Sequence, residues 1–214
     1  MAAPEPVNAD TARFPEYLRA GVRPMMPFHE DVIASARAEG RCVEVVEDRS
    51  LGCVVLARNG GAPVAAMICA KLSNPAELPY WAFPKGHPDA GETDVEGASR
   101  EVLEEIGIDV RGAILPQVFT ETSYTYAGRL HKDAWQRHPA YPDEAKRPVA
   151  CFFKVVRMFL AVVDAPPPLK AQEEEVARAE WVPLQQIEAR LHRQDMRDEY
   201  LPFLASQAVR EALG

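Results

Sequence analysis

One stretch, Gly86–Ile108, constrains the fold of this chain more than any other: GHPDAGETDVEGASREVLEEIGI. Thr93 is followed three residues later by Glu96, which is the capping-box pattern, so we predict that a helix begins just after Thr93. Gly107 can adopt the left-handed conformation that ends many helices. The stretch is therefore predicted to be a loop followed by a helix that ends near Gly107.

Three acids on this predicted helix point to a metal site. Glu101, Glu104 and Glu105 stand at i, i+3 and i+4, which places their carboxylates on one face. Like-charge pairs at this spacing destabilise a helix by roughly 0.2–0.5 kcal/mol each. An exposed helix with ordinary solvated acids is one interpretation. A bound hard dication is the other, because Mg²⁺ prefers carboxylate oxygens and substrate phosphates as ligands.

The spacing of the whole stretch resembles that of a known family. Gly86, five residues, Glu92, seven residues and then the run REVLEEIGI from Arg100 match the Nudix box of the Nudix hydrolases at every position. The resemblance implies a loop–helix–loop that binds Mg²⁺ or Mn²⁺ and an attack of water on a diphosphate linked to another moiety. It also implies that the carbonyl of Gly86 joins Glu101, Glu104 and Glu105 as a metal ligand, with Arg100 orienting a carboxylate.

The residues that flank Gly86 narrow the resemblance to one group of enzymes within this family. The run PKGH, with Glu92 downstream, looks like that of the asymmetrically cleaving diadenosine tetraphosphate hydrolases. By this resemblance Lys85 pairs with a phosphate oxygen and His87 donates to one. Tyr124 and Tyr126 lie in the zone where those hydrolases carry a tyrosine for stacking on a base or binding phosphate. The alternative is that only one of the two tyrosines reaches the substrate and the other packs in the core.

Two further residues are candidates for the site. Glu175 lies six residues before Trp181, and by resemblance a glutamate there can serve as general base or extra metal ligand. The alternative is a solvated run of acids. Lys154 interrupts the apolar run Val149–Val163, and a lysine inside a central strand is costly unless paired, so we predict that it contacts substrate. A position at the sheet edge is the alternative.

The pattern of strands and helices predicts an α/β fold, similar to the Nudix α/β/α sandwich with a mixed β-sheet between helices. Two strands are expected at 41–47 and 51–57, split by a turn at 48–50, and Asn59-Gly60-Gly61 indicates a hairpin. A single helix is expected from about Asp195 to Leu213, with a possible interruption at Pro202.

The predicted domain organisation is an N-terminal arm with a short helix over residues 1–40 and a Nudix hydrolase domain over 41–214. An insertion at about 128–148 is rich in basic residues and also carries Trp135 and Tyr141. It could form a lid over a polyphosphate or a loop without fixed structure. The same basic cluster would suit a highly phosphorylated inositol.

Charge and composition exclude several other classes of function. A formal net charge of −8 argues against general nucleic-acid binding and against an anionic membrane surface. The four cysteines form no CxxC pair, so we expect free thiols and a reducing cytoplasmic or nuclear compartment. The first residues lack the apolar segment of a secretory signal, and the run at 149–163 is too short to span a bilayer.

The expected function is Mg²⁺-dependent asymmetric hydrolysis of diadenosine tetraphosphate to ATP and AMP, with Mn²⁺ as a possible substitute metal. The expected catalytic residues are Glu104, Glu105, Arg100 and Glu175. Two other enzymatic functions stay open: hydrolysis of diphosphoinositol polyphosphates and removal of diphosphate from an RNA 5′ end or cap. A non-catalytic nucleotide-binding module that reuses the fold is the alternative outside enzymes. The oligomeric state is left open.

Overall fold

The computed structural model describes residues 23–24, 38, 43–71, 80–128 and 149–214, and within them the side chains of 23–24, 43–47, 59, 125–128, 149–151 and 153 lie outside the description. The strands in these ranges are β1 (Arg23–Pro24), β2 (Val43–Asn59), β3 (Ala62–Ala70), β4 (Trp81–Ala82), β5 (Lys85–Gly86), β6 (Ile114–Gly128), β7 (Val149–Val163) and β8 (Val176–Pro183). The helices are α1 (Asp94–Ile106), α2 (Leu184–Arg190), α3 (Gln194–Leu204) and α4 (Gln207–Leu213). None of the described helices is long and apolar enough to cross a membrane.

The strands form a mixed sheet. Its order is β1-β6-β7-β2-β3-β4, with β5 paired to β2 and β8 paired to β3. β1 runs parallel to β6, with Arg23 opposite Tyr124, whereas β3 runs antiparallel to β2, β4 and β8. The hairpin between β2 and β3 turns at Gly60 and Gly61, whose φ angles of 58° and 94° lie in the left-handed region that favours glycine.

The chain divides into two compact units. Unit 1 comprises residues 1–48 and 122–155, and unit 2 comprises residues 49–121 and 156–214. Unit 2 therefore contains the whole of α1 and the loop that precedes it. The predicted insertion at 128–148 lies outside the described residues except for Gly128, the last residue of β6, and so does the predicted arm at 1–40 except for residues 23–24 and 38.

Unit 2 anchors α1 through an apolar core. Ala98, Val102 and Ile106 are buried on one side of α1 and share a cluster with Leu51 and Cys53 of β2. Side chains alternate along a strand, so the buried Val54 and Leu56 face the other side of the sheet.

The C-terminal helices supply the second helical layer of unit 2. They bury Ile187, Phe203 and Val209, and the ring of Tyr200 meets that of Phe83 edge-on at 4.9 Å between centroids. Helices flank the mixed sheet, which confirms the predicted α/β/α architecture.

Two local predictions were wrong. β2 continues from Val43 to Asn59 without the expected turn at 48–50. Leu51 and Gly52 pair with Gly86 and Lys85 of β5, and this pairing continues the extended backbone past the polar residues. The last helix breaks at Ala205–Ser206 and not at Pro202, because the Ser206 hydroxyl accepts a hydrogen bond from Val209 N at 3.3 Å and caps a new helix.

Candidate active site

Helix α1 begins and ends where the sequence predicts. The Thr93 hydroxyl accepts a hydrogen bond from Glu96 N at 3.3 Å, and Glu96 Oε2 accepts one from Thr93 N at 2.8 Å, which completes the capping box. Gly107 has a φ of 74°, and its N–H donates to Leu103 O at 3.0 Å. These caps fix the start and the end of the helix that carries the three acids.

Strand β5 brings Gly86 directly against α1. A Cβ atom at Gly86 would lie 2.0 Å from Glu101 Oε2 and 2.3 Å from its Cδ, far inside van der Waals contact. The strand pairing requires a second glycine, because a Cβ at Gly52 would lie 2.1 Å from Pro84 O. Sequence reasoning missed Gly52, since its requirement arises from a contact between segments more than thirty residues apart.

Two of the three acids are buried. Glu101 is 8% exposed and Glu105 is 5% exposed, whereas Glu104 is exposed. Burial, which disfavours the charged form, raises the pKa of Glu101 and raises the pKa of Glu105 to about 7. Glu105 Oε2 accepts a hydrogen bond from Lys85 N at 2.8 Å, and both this bond and the Lys85 charge act in the opposite direction.

Arg100 connects the loop to the acids. Its Nη1 donates to Glu101 Oε1 at 2.8 Å and to Glu104 Oε2 at 2.9 Å, so both carboxylates meet the same nitrogen. Its Nε donates to Glu92 Oε1 at 2.8 Å, and its Nη2 donates to His87 O at 2.7 Å. Hydrogen bonds from Arg100 hold the pKa of Glu92 below its ordinary value. Arg100 therefore offsets the repulsion within the cluster and holds the loop against α1.

Residues 170–175, which precede β8 and carry Glu175, form a loop that we call the acidic loop, and it is bonded to the end of α1. Gln172 N donates to Glu105 O at 3.1 Å, and Lys170 N donates to Ile106 O at 2.9 Å. At the other end of the loop, Lys71 N donates to Glu175 O at 2.7 Å. The negative charge of Glu175 contributes to raising the pKa of both Glu101 and Glu105, so its carboxylate lies within electrostatic range of both.

The remaining candidate residues lie outside unit 2. Tyr124 and Lys154 belong to unit 1, and the side chain of Tyr126 is outside the described residues. Lys154 is buried, and its Nζ donates to Asp48 Oδ1 of the same unit at 2.7 Å. The structure thus brings together the candidate residues of the loop before α1, of α1 itself and of the acidic loop that carries Glu175. The substrate contacts of Tyr124, Tyr126 and Lys154 stay predictions.

Oxygen donors dominate the site, and oxygen is the ligand atom that hard dications such as Mg²⁺ and Mn²⁺ prefer. The donors that could hold such an ion are the carboxylates of Glu101, Glu104 and Glu105 and the backbone carbonyl of Gly86. Within the described residues, no group of three or more His, Cys, Asp or Glu side chains is gathered in a ligand-like arrangement. Arg100 donates to Glu101 and Glu104, and the Lys85 N–H donates to Glu105. The close contact of Gly86 with Glu101 places the Gly86 backbone beside that carboxylate. The donor chemistry fits a hard dication.

Comparison with known proteins agrees with the fold and the helix–loop arrangement. The family model described as NUDIX domain matches residues 47–205. A Mycobacterium tuberculosis (strain CDC 1551 / Oshkosh) protein named "Putative mutator protein MutT4" is 30% identical over 166 residues, which are 76% of this chain and 57% of that protein. The chain thus spans less than two thirds of the length of that relative.

Solved structures match the chain at low sequence identity. A C. elegans Ap4A hydrolase is 19% identical, with a TM-score of 0.50 over 75% of this chain and 98% of that chain. The NUDIX domain of Shewanella oneidensis NrtR, solved with ADP ribose, is 15% identical, with a TM-score of 0.48 over 79% of this chain and 90% of that chain. Because the family match at 47–205 covers well over half of the sequence and contains the complete loop and helix, the chain belongs to the NUDIX domain family.

Proposed function

We propose that this chain is a Mg²⁺-dependent nucleoside polyphosphate hydrolase that cleaves diadenosine tetraphosphate asymmetrically to ATP and AMP, with Mn²⁺ as an alternative metal. The observation that carries the proposal is the close contact between Gly86 of the PKGH run and the buried Glu101. Glu105, one helical turn further along α1, is buried as well. Burying two carboxylates on one helix face is costly for folding. A bound dication would compensate that cost in the working protein.

In this proposal Glu101, Glu104, Glu105 and the Gly86 carbonyl hold the metal. The ion supplies Lewis-acid neutralisation of the charge that spreads over the phosphate oxygens during phosphoryl transfer. Arg100 keeps Glu101 and Glu104 in place through its shared Nη1, and through Nη2 it holds the backbone of His87. The carboxylates are thereby preorganised before substrate binds, which is the arrangement that electrostatic catalysis requires.

The side chains of the PKGH loop are proposed to bind the phosphates. The Lys85 backbone is held by Glu105, and the Lys85 ammonium is close enough to lower the pKa of that carboxyl. Lys85 is thus proposed to bind a non-bridging oxygen next to the metal ligands, and His87 is proposed to donate to a neighbouring one. Tyr124 and Tyr126 are proposed to contact a base or phosphate. Lys154 is proposed to contact the substrate, and a direct phosphate contact would require the loss of its buried pair with Asp48.

Glu175 is proposed as the general base. It accepts a proton from the attacking water as the water oxygen bonds to phosphorus, and the bridging P–O bond breaks to release the leaving phosphate oxygen. Lys170 N and Gln172 N bond this acidic loop to the end of α1, and Lys71 N donates to the carbonyl of Glu175 itself. Geometry decides such a role before pKa does, and the loop brings the Glu175 charge within range of both buried acids.

The test is a hydrolysis panel with Mg²⁺ against diadenosine tetraphosphate, an inositol pyrophosphate, capped RNA and ADP-ribose. We expect diadenosine tetraphosphate to give the highest kcat/KM, with ATP and AMP as products. Preference for the inositol pyrophosphate or capped RNA would establish one of the alternative substrates instead. Preference for ADP-ribose would contradict the interpretation of the PKGH loop and the tyrosines, and nucleotide binding without turnover would indicate a non-catalytic module.

The metal role is tested by Glu104→Gln, which keeps the size of the side chain and removes its charge. We expect turnover to be lost while the circular dichroism spectrum stays unchanged. Glu188→Gln on α2 is the matched control, because Glu188 is also an exposed helical glutamate of unit 2. Unchanged turnover by Glu104→Gln would contradict the proposed role of this carboxylate in metal binding.

A further inference from the structure

An exposed aromatic ring lies near the start of α1. Phe119 of β6 is 44% exposed, and it is the exposed aromatic side chain among those the structure describes. The guanidinium carbon of Arg157 lies 4.9 Å from the centroid of its ring, and the ring of Phe159 lies 5.8 Å away at a tilt of 56°. The ring is therefore held by a cation and by a second ring while part of its surface faces solvent.

Two carboxylates, those of Asp94 and Glu121, hold Arg157 over this ring. Its Nη1 donates to Asp94 Oδ2 at 2.5 Å, and its Nε donates to Glu121 Oε2 at 2.7 Å. Arg49 of β2 donates through Nη2 to the same Asp94 oxygen at 2.6 Å. Two arginines and two acids therefore balance one another. We call Phe119, Arg157, Asp94, Glu121 and Arg49 the Phe119 patch.

Arg49 is the cation of the Phe119 patch that can bind an additional anion. Its side chain is 44% exposed, and within the described part of the chain it makes only the bond to Asp94. A guanidinium carries five N–H donors in a fixed fork that matches phosphate geometry. Arg157, in contrast, is bonded to both acids and covered by Phe119, so its role is to hold the patch together.

Helix α1 connects the Phe119 patch to the three acids. Asp94 is the first residue of α1 and stands seven residues before Glu101, which is close to two full turns. The two side chains therefore leave the helix on the same side, roughly 10 Å apart along its axis. A nucleotide has its base separated from its terminal phosphate by a ribose and further phosphates, so one nucleotide can extend from the acids to the patch.

From this arrangement we propose that the Phe119 patch is a nucleoside phosphate subsite, in which Phe119 stacks on the base and Arg49 binds a phosphate oxygen of the same nucleotide. This subsite would bind part of the substrate of the proposed hydrolysis, so its role in catalysis rests on the proposed function. Single exposed apolar side chains are common on protein surfaces. Phe119 differs because its ring is held by Arg157, which shares the Asp94 carboxylate with Arg49. Among the described residues, Arg49 bonds only Asp94, and stacking on an aromatic face accepts any base.

Direct binding tests the subsite without turnover. Metal-free protein in EDTA is titrated calorimetrically with ATP and, separately, with inorganic tripolyphosphate, which lacks the base. We expect Phe119→Ala and Phe119→Leu to weaken ATP binding by roughly 5- to 140-fold, the range that stacking of one base corresponds to. Neither variant should change tripolyphosphate binding, and Phe119→Tyr should bind ATP as the wild type does.

The arginine is tested in the same titrations. Arg49→Ala should weaken the binding of both ligands, whereas Arg111→Ala should weaken neither, because Arg111 is an exposed arginine paired with Asp109 at another place in unit 2. Urea unfolding of each variant separates loss of the fold from loss of the ligand. Phe119→Leu matters most here, since leucine keeps an apolar side chain and removes only the aromatic face.

The outcomes separate the subsite from the proposed function. Wild-type ATP affinity in both Phe119→Ala and Phe119→Leu would overturn the subsite, as would wild-type protein that binds no ATP, and either result leaves the hydrolysis assay to decide the proposed function. Weaker ATP binding by these variants together with no hydrolysis of any nucleotide would support the subsite and overturn the proposed function. If both hold, Phe119→Ala should raise KM for diadenosine tetraphosphate and leave kcat nearly unchanged.

Discussion

The contact between Gly86 and Glu101 gives the sharpest test of the candidate active site. In the substitution Gly86→Ala, the added Cβ would start 2.0 Å from Glu101 Oε2 and 2.6 Å from Oε1. Real Cβ contacts are essentially never shorter than 3.0 Å, so the carboxylate must retreat by about 1 Å. Glu101 cannot do so freely, because it is buried and its Oε1 accepts the Arg100 hydrogen bond at 2.8 Å.

Two magnitudes follow from this displacement. A misplacement of about 1 Å in a catalytic arrangement can reduce the rate by roughly 100-fold, so we expect kcat/KM to fall by about that factor. Overpacking a filled site costs typically about 1–3 kcal/mol of unfolding free energy. Replacing glycine by alanine also restricts the unfolded chain, which returns about 0.4–1 kcal/mol. The net loss of stability should therefore lie between about 0 and 2.6 kcal/mol, whereas a 100-fold loss of rate corresponds to about 2.7 kcal/mol of activation free energy.

Gly112 provides the matched control for this substitution. A Cβ at Gly112 would meet no atom within 4 Å, and its φ is not positive. We therefore expect Gly112→Ala to keep wild-type kcat/KM and to gain slightly in stability. The measurements are urea unfolding, hydrolysis of diadenosine tetraphosphate at several Mg²⁺ concentrations, and a Mn²⁺ titration followed by electron paramagnetic resonance, which reports metal binding even if the substrate is different.

A Gly86→Ala protein that binds Mn²⁺ and turns over substrate within about threefold of wild type would refute the reasoning, since the Glu101 carboxylate would then not need its observed position. Loss of activity that merely follows a loss of folded protein in the urea experiment would refute it as well. Both results are distinct from the expected one, in which the protein stays folded and loses metal binding and turnover together.

Three other predictions concern the same region. Arg100→Lys should weaken Mn²⁺ binding by about 10- to 100-fold in a titration, because lysine cannot bond Glu101, Glu104 and the loop at once. An unchanged Mn²⁺ affinity would contradict the positioning role of Arg100. Burial raises the pKa of Glu105 from 4.5 to about 7, so the folded state holds this proton more tightly than the unfolded state does. In metal-free buffer the unfolding free energy should therefore fall by up to about 3 kcal/mol as the pH rises from about 4.5 to 7. Glu105→Gln should flatten that profile. Burial raises the pKa of Cys53 to about 12, so iodoacetamide at pH 8 should leave it unmodified in folded protein, and its rapid labelling would contradict the buried position.

The sequence alone was sufficient for the helix that carries the acids. Thr93, Glu96 and Gly107 fix its ends through bonds to residues within four positions along the chain, so their spacing predicts the structure directly. The same locality explains why the i, i+3, i+4 spacing identified Glu101, Glu104 and Glu105 as one group. The family pattern added the loop residues, whose backbone the structure finds bonded to Arg100 and Glu105.

Contacts between distant segments were decided only by the tertiary structure. The sequence predicts a substrate contact for Lys154, and the structure shows that its side chain is buried and paired with Asp48. The bond between Arg157 and the first residue of α1 could not be read from the sequence. The requirement for glycine at 52, the continuous strand β2 and the burial of Glu105 also depend on which strand lies opposite. Local spacing determines which side chains share a helix face, whereas strand pairing between segments far apart in the chain determines what that face meets and therefore which acids lose their water.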